Sequence, residues 1–365
     1  MSLNPEITHR LELPHEPAAE IEFARLPTLR GVALFENEEG RATYLAVTGN
    51  ARALARRRLA PGDEESNRGR VDHRAVTRRV LFAPAPGMLE ADAVFLALAR
   101  ERLPGLHQAA LTRWQGWFIH VNPETQFPRF MKTPVPAGAE SAQSPPKTGM
   151  LLGPLRDKHA SARYIEAIED LFDLCRYHHL LIQAPNASAC AYKDMGRCPA
   201  PCDGSESMES YRGRLAEAAA FAAGSPGPYA ARLESEMRSA SEGLDFERAE
   251  RCRVLLERAE ATRKPEHRFV RSLDDFRFLF VSRSESAAHA RLIVASRGSL
   301  TALADVRADA DRACFDAVIE AAHATAAAAP PCSFSQESLE TIGLVSTHVF
   351  APKSGQRAGD GVLHL

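Results

Sequence analysis

No apolar run in this 365-residue chain reaches the roughly 18 residues that a membrane span requires. The opening MSLNPEITHRLELPHEP lacks the apolar core of a signal peptide. These two absences give the expectation of a cytoplasmic protein with no membrane partner. A surplus of charge is missing as well, because 45 Lys and Arg stand against 47 Asp and Glu, for a net charge of -2. Bulk attraction to nucleic acid is thereby excluded, and any DNA contact must come from local basic patches. There is no glycine-rich phosphate loop, zincin helix or Gly-x-Ser-x-Gly elbow. Those gaps remove the commonest competing chemistries.

What the chain does hold is a knot of thiols. Four of its seven cysteines, Cys175, Cys190, Cys198 and Cys202, are spaced Cys-x14-Cys-x7-Cys-x3-Cys. In a chain without export signals, four soft donors this close read as a metal or iron-sulfur site rather than as disulfides. The alternative is a set of buried or unpaired cysteines. Gly196, Pro199, Pro201 and Gly204 break regular structure around the last two thiols, so the backbone must wrap there. His178 and His179 follow the first thiol and either serve the site or end a helix.

The composition divides the chain into an α+β succession. Residues 1–22 read as a flexible arm, 23–133 as a small mixed α/β domain with a following strand pair, and 134–149, PVPAGAESAQSPPKTG, as a Pro/Ser/Gly-rich loop. Residues 150–226 form the cysteine-rich region with its helices, 227–264 a helical hairpin, 265–328 a small α+β domain, and 329–365 a tail. Within this frame, GVALF and TYLAV flank Gly40 as a β-hairpin. The next segment, Asn50 to Arg58, predicts a helix whose Arg52, Arg56, Arg57 and Arg58 are either a solvated face or a phosphate-binding patch. A second helix spans Glu90 to Leu103. The run from Trp117 to Phe130 predicts a β-hairpin with an aromatic face, and apolar spacing predicts a helix from Ser161 to His179 that turns Cys175 inward. Beyond the thiols, Met208 to Ala223 is helical. Tyr229 to Glu242 and Phe246 to Arg263 then pair, with Gly243 closing one helix and Asp245 capping the next. Strands follow at Phe276 to Val281 and Arg291 to Ala295, then a Gly298 turn and a helix from Asp309 to Thr325.

Three of these stretches resemble parts of UvrC, the incision-subunit family of bacterial nucleotide excision repair. Cys190-Ala191-Tyr192-Lys193-Asp194-Met195-Gly196-Arg197-Cys198-Pro199-Ala200-Pro201-Cys202 is similar to that family's cysteine-rich pattern. The resemblance implies that Cys175, Cys190, Cys198 and Cys202 hold a 4Fe-4S cluster, with structural zinc as the alternative. Met237, Ala240, Leu244, Phe246, Glu247, Ala249 and Arg253 match the UVR motif, a helix pair through which UvrC and UvrB recognise each other. That match implies Phe246 as the anchor and Arg248 and Glu250 as charged rim contacts on UvrB or another UVR-type partner. The first hairpin resembles the start of a GIY-YIG nuclease, with Gly31-Val32-Ala33 and Tyr44-Leu45-Ala46 at its two motifs.

In that nuclease family a first tyrosine, an arginine and a metal-holding glutamate cut the phosphodiester. Here the matching positions are Ala33, Leu54 and Phe95, and of the motif side chains only Tyr44 remains. Cleavage needs an activated nucleophile, an oxygen-held cation and a positive group facing the developing charge. The resemblance therefore implies a nuclease shell without its chemistry, and the chain length implies no RNase H-like second nuclease. The expected function is a repair adaptor that docks on UvrB and touches DNA. The alternatives are a divergent endonuclease using Asp92 or Glu101, and an iron-sulfur redox-sensing scaffold.

Overall fold

Alternating and continuous apolar runs build three antiparallel sheets among the described residues, divided between two packing units. The computed structural model describes residues 6–15, 21–59, 73–136, 148–224, 226–262, 264–286, 288–351 and 361–365. Most of the expected 134–149 loop, and parts of the expected arm and tail, lie outside the described residues. The architecture is α+β. No helix among the described residues is long and apolar enough to cross a membrane.

The first unit holds residues 1–114, 277–330 and 348–365. Its first sheet runs in the order His9–Glu12, Arg79–Pro84, Gly31–Glu36, Ala42–Thr48, all antiparallel. The expected hairpin is there, with Phe35 opposite Tyr44 and Gly40 in the left-handed region at its turn. Gly31–Glu36 is buried along its whole length because both faces are covered. Ala33, Phe35, Val80 and Phe82 pack under the helix Ala51–Leu59, while Val32, Leu34, Leu45 and Ala83 pack against the helix Met88–Arg102. The expectation of a flexible arm over 1–22 fails at His9–Glu12, a short edge strand. Leu11 is buried and the other three residues are not, which is why HRLE reads as polar loop.

The unit's second sheet orders Ser299–Ala302, His289–Ser296, Arg277–Arg283 and Gly361–His364, with Val306–Arg307 also on His289–Ser296. Arg297 and Gly298, at φ 49° and 89°, make the tight turn that a two-residue hairpin needs. The helix Arg312–Ala328 covers this sheet through Ala322 and Ala326 on Leu279, Leu292 and Val294. The expectation of a tail over 329–365 is corrected: Gln336–Val349 is a helix and Gly361–His364 pairs with Arg277–Arg283. A four-residue strand supplied by a distant partner leaves no local periodic signal.

The second unit holds residues 115–276 and 331–347. Its sheet runs Met131–Val135, Gly116–Val121, Met150–Leu155, Arg271–Ser272. The expected aromatic hairpin is therefore shifted, since Gly116–Val121 pairs with Met131–Val135 and Phe127 to Phe130 form the connection. Helices Lys158–Leu171, Met208–Ala222, Gly227–Glu242 and Phe246–Ala261 share one core with this sheet.

Gly31 is required by close approach, because a Cβ there would lie 2.2 Å from the Ala83 carbonyl and 2.5 Å from the Phe82 ring. Gly31→Ala should destabilise the first unit by about 1–3 kcal/mol through overpacking. Denaturant unfolding checks this, and an unchanged midpoint would show that the sheet opens to admit a methyl.

Candidate functional site

The cysteine centre hangs from one helix end. Asp157 caps the helix Lys158–Leu171, accepting from His159 N and Ala160 N at 2.8 Å each, and these backbone donors hold its carboxyl below the usual range. The helix stops at Leu171 rather than His179. Asp173 takes φ 47°, reversing the chain so that Leu174 and Cys175 turn into the core. Inward-facing Cys175 is thus correct, but a turn places it there. His178 is held by the Phe127 carbonyl at 3.1 Å, and so it packs as part of the scaffold.

Cys198 and Cys202 are buried and Cys190 is half-buried. Ala200 at φ 58° and Gly204 at φ 81° bracket the turn Pro201–Asp203, wrapping the chain around Cys202 as the glycines and prolines predict. Cys175 Sγ donates to the Tyr177 carbonyl at 3.7 Å. Neighbouring Cys198 and burial push the Cys175 thiol up, whereas Cys175 beside it lowers Cys198. Burial, then the Asp203 charge and the neighbouring Cys198 and Cys190, raise Cys202. The four sulfurs are electrostatic neighbours. Among the described residues, however, no three His, Cys, Asp or Glu side chains are gathered as a ligand set. The donor chemistry suits a soft metal group; the ligand shell is not drawn together.

Around this loop, the Arg176 guanidinium lies 4.3 Å from the Tyr192 ring centroid and pairs with Asp170. Lys193 reaches Asp203 at 2.6 Å and Ser205 at 2.7 Å. Short-range contacts of this kind hold the wrapped backbone without a regular element.

The hairpin pairs Gly227–Glu242 with Phe246–Ala261, burying Leu233, Ala240, Cys252 and Ala259. Leu244 sits at φ 57°, Asp245 N donates to the Ala240 carbonyl at 2.8 Å, and the Asp245 side chain caps Arg248 N at 3.1 Å. At this tip Leu244 and Phe246 are 72% and 68% exposed. Arg248 approaches Glu236 at 3.9 Å, and Glu250 is held by Arg253 at 2.7 Å.

The nuclease-like positions do not converge. Ala33, Tyr44 and Leu54 share the cluster under Ala51–Leu59, whereas Phe95 packs on the opposite face of the sheet, 5.7 Å from Trp114. Tyr44 lies against Phe35 and His73, and Arg58 donates to its hydroxyl at 3.3 Å. Arg52 donates to the Leu26 and Ala24 carbonyls at 3.0 Å each, and Arg56 lies over Phe23. Of the four basic residues, Arg56 and Arg57 remain exposed. Asp92 takes a bond from His348 at 2.9 Å, and Glu101 is exposed. Sequence reasoning misses the buried Glu36, clamped by Arg79 and Arg102, and Glu90, paired with Arg291 at 2.8 Å. Each pair joins distant segments, so no spacing announces it.

Residues 117–221 match the family model of the UvrC/Cho excinuclease middle domain, a span that contains all four clustered cysteines. The chain is UvrC-like. It is 28% identical over 242 residues to the UvrABC system protein C of Gemmatimonas aurantiaca, covering 66% of this chain and 38% of that protein. The protein of the same name from Nitratidesulfovibrio vulgaris is 28% identical over 66% of this chain and 34% of its own length. That of Deinococcus radiodurans is 33% identical over a shorter stretch, 35% of this chain and 21% of the relative. The UvrC-like chain thus spans well under half the length of these curated relatives. No solved structure matches it.

The tip's exposure separates its role in folding from any role in binding. Phe246→Ala should change stability by no more than about 0.5 kcal/mol, as for surface substitutions generally. A thermal melt of the purified variant checks this, and a large loss would mean that Phe246 closes the hairpin on itself.

Proposed function

We propose that this UvrC-like chain is a nucleotide excision repair adaptor that docks on UvrB, or another UVR-type partner, through its helical hairpin. It contacts DNA without cutting it. The observation that carries this reading is the hairpin tip, where two large apolar side chains, Leu244 and Phe246, stand in water at a capped turn. A buried aromatic anchor with charged neighbours is the usual make-up of a binding hot spot, and Arg248 and Glu250 supply the rim. The likeness to proteins named UvrABC system protein C supports UvrB and DNA as the partners.

For the first domain, the reading rests on packing. Ala33 and Leu54 are apolar core, and Phe95 lies across the sheet from them, so the motif positions among the described residues do not bring a nucleophile, a cation ligand and a positive group together. The exposed Arg56 and Arg57 are the residues of that helix best suited to touch a DNA backbone, as Arg52 and Arg58 are engaged locally.

Cys175, Cys190, Cys198 and Cys202 would hold a 4Fe-4S cluster, with structural zinc as the alternative occupant. The chemistry of the donors supports this, since four thiols lie in one wrapped segment, Cys175, Cys198 and Cys202 buried and Cys190 half-buried. Such a group, when bound, would tie together chain segments that otherwise have little regular structure.

Two measurements test the reading. Phe246→Ala should weaken binding to purified UvrB by about 2 kcal/mol or more; an unchanged titration would remove the hairpin from the argument. Protein purified without oxygen should contain iron and acid-labile sulfide, both lost in Cys198→Ala. Zinc alone would reassign the loop to a structural zinc site, and a metal-free preparation would reject both occupants.

A further inference from the structure

A cavity of about 290 Å3 opens in the second unit, away from the cysteine loop and the hairpin tip. Its volume is at the small end of ligand pockets. Three parts of the chain form it: Tyr164 from the helix Lys158–Leu171, Phe221, Gly224 and Pro226 at and after the end of Met208–Ala222, and Thr262, His267 and Arg271 after the hairpin.

One wall is polar and positive. Tyr164 is buried, and its hydroxyl, with its pKa raised by desolvation, stays a donor. Its ring meets that of His267 edge-on at 4.8 Å. His267 is only 5% exposed. Its Nδ1 lies 3.1 Å from the Thr262 carbonyl, which fixes that nitrogen as the donor, and the buried Nε2 has no hydrogen-bond partner. The nearest acid, Glu266, approaches Nε2 only to 3.5 Å and is engaged by Arg163 at 3.0 Å. Arg271 donates through Nη1 to the Val270 carbonyl at 2.7 Å and lines the cavity, as does the exposed Arg268. Gly224 makes room for Arg271, because a Cβ there would lie 2.4 Å from Arg271 Cδ. The other wall, with Phe221, Pro226 and Val270, is apolar.

An orphaned buried imidazole, a protonated phenol and two guanidiniums around one small cavity are complementary to a compact oxyanion. We propose that this cavity binds a phosphate monoester, either the 5′-phosphate end of a DNA strand or free phosphate. A terminal group fits better than a passing backbone, since several oxygens must be reached at once inside the cavity, and the apolar wall accepts the attached sugar. With Nδ1 donating to Thr262, neutral His267 presents a lone pair at Nε2. It can accept the P–OH of the monoanion, or donate to the dianion after taking up a proton itself. Above the ester's second pKa of about 6, either route takes up one proton from solvent, so binding tightens as pH falls from 8. The other charged groups facing the ring are Arg163, Lys264 and Glu266, and burial keeps the Tyr164 hydroxyl neutral.

This inference is independent of docking on UvrB, and its test contains no UvrB. Single-stranded oligonucleotides identical except for a 5′-phosphate or a 5′-hydroxyl are titrated against the full chain by fluorescence anisotropy, with inorganic phosphate as competitor. The phosphorylated strand should bind about tenfold tighter, the value of one charge-assisted contact, and more so at pH 6.5 than at pH 8. Inorganic phosphate should erase the difference. Arg271→Gln should abolish it. Arg268→Gln, a change at an exposed position that leaves the fold intact, should weaken it. If both strands bind alike while inorganic phosphate still binds the wild-type chain and not Arg271→Gln, the phosphate site stands and its source is the free ion. Equal affinities for both strands, with no binding of inorganic phosphate, overturn the proposal.

Discussion

Three rings, Phe172, Phe221 and Tyr229, hold the second unit together at the place where its functional parts diverge. Their centroids are 5.5, 4.6 and 5.4 Å apart, and the Tyr229 hydroxyl donates to the Leu171 carbonyl at 3.4 Å. Each ring belongs to a different helix or its terminus. Phe172 stands three residues before the first clustered thiol, Phe221 borders the cavity, and Tyr229 opens the helical hairpin. Aromatic pairs contribute about 0.5–1.5 kcal/mol each beyond their buried area, but their geometric role matters more here. They set where the thiol loop leaves, where the hairpin begins and how wide the cavity stays. Tyr211 repeats the device beside them, fully buried with its hydroxyl donating to the Pro128 carbonyl at 3.4 Å.

The parts legible in the sequence are those whose determinants are local. The Gly40 turn, the Asp245 cap, the pause at Gly243 and the wrapped Cys198 to Gly204 loop each follow from residues within a few positions of one another. What escapes is what depends on distant partners. His9–Glu12 and Gly361–His364 are strands only because another strand lies beside them. The break at Asp173 is hidden for a different reason, since Leu171, Phe172, Leu174 and Cys175 are all buried and continue to mimic a helical stripe after the helix has ended.

The same division holds for the candidate sites. Thiol spacing and the hairpin signature are readable because each is compact in sequence. Buried Glu36 with half-buried Arg79 and Arg102, and buried Glu90 with half-buried Arg291, are ion pairs across 43 or more positions, and nothing nearby marks them. His267 looks like one more polar residue in KPEHR until its neighbours are known. Conversely, the basic run from Arg52 to Arg58 reads as a patch, yet the fold uses two of its members as struts.

Leu244 carries a consequence for how the hairpin tip is kept. Its left-handed backbone disfavours any side chain with a Cβ, and its exposure leaves an apolar group in water. Glycine or asparagine would ease both penalties, so an isolated two-helix stalk selected for robustness alone would drift toward them. A leucine there adds little to the hairpin's own packing, and the strain and exposure it carries are what the proposed contact at the tip would relieve.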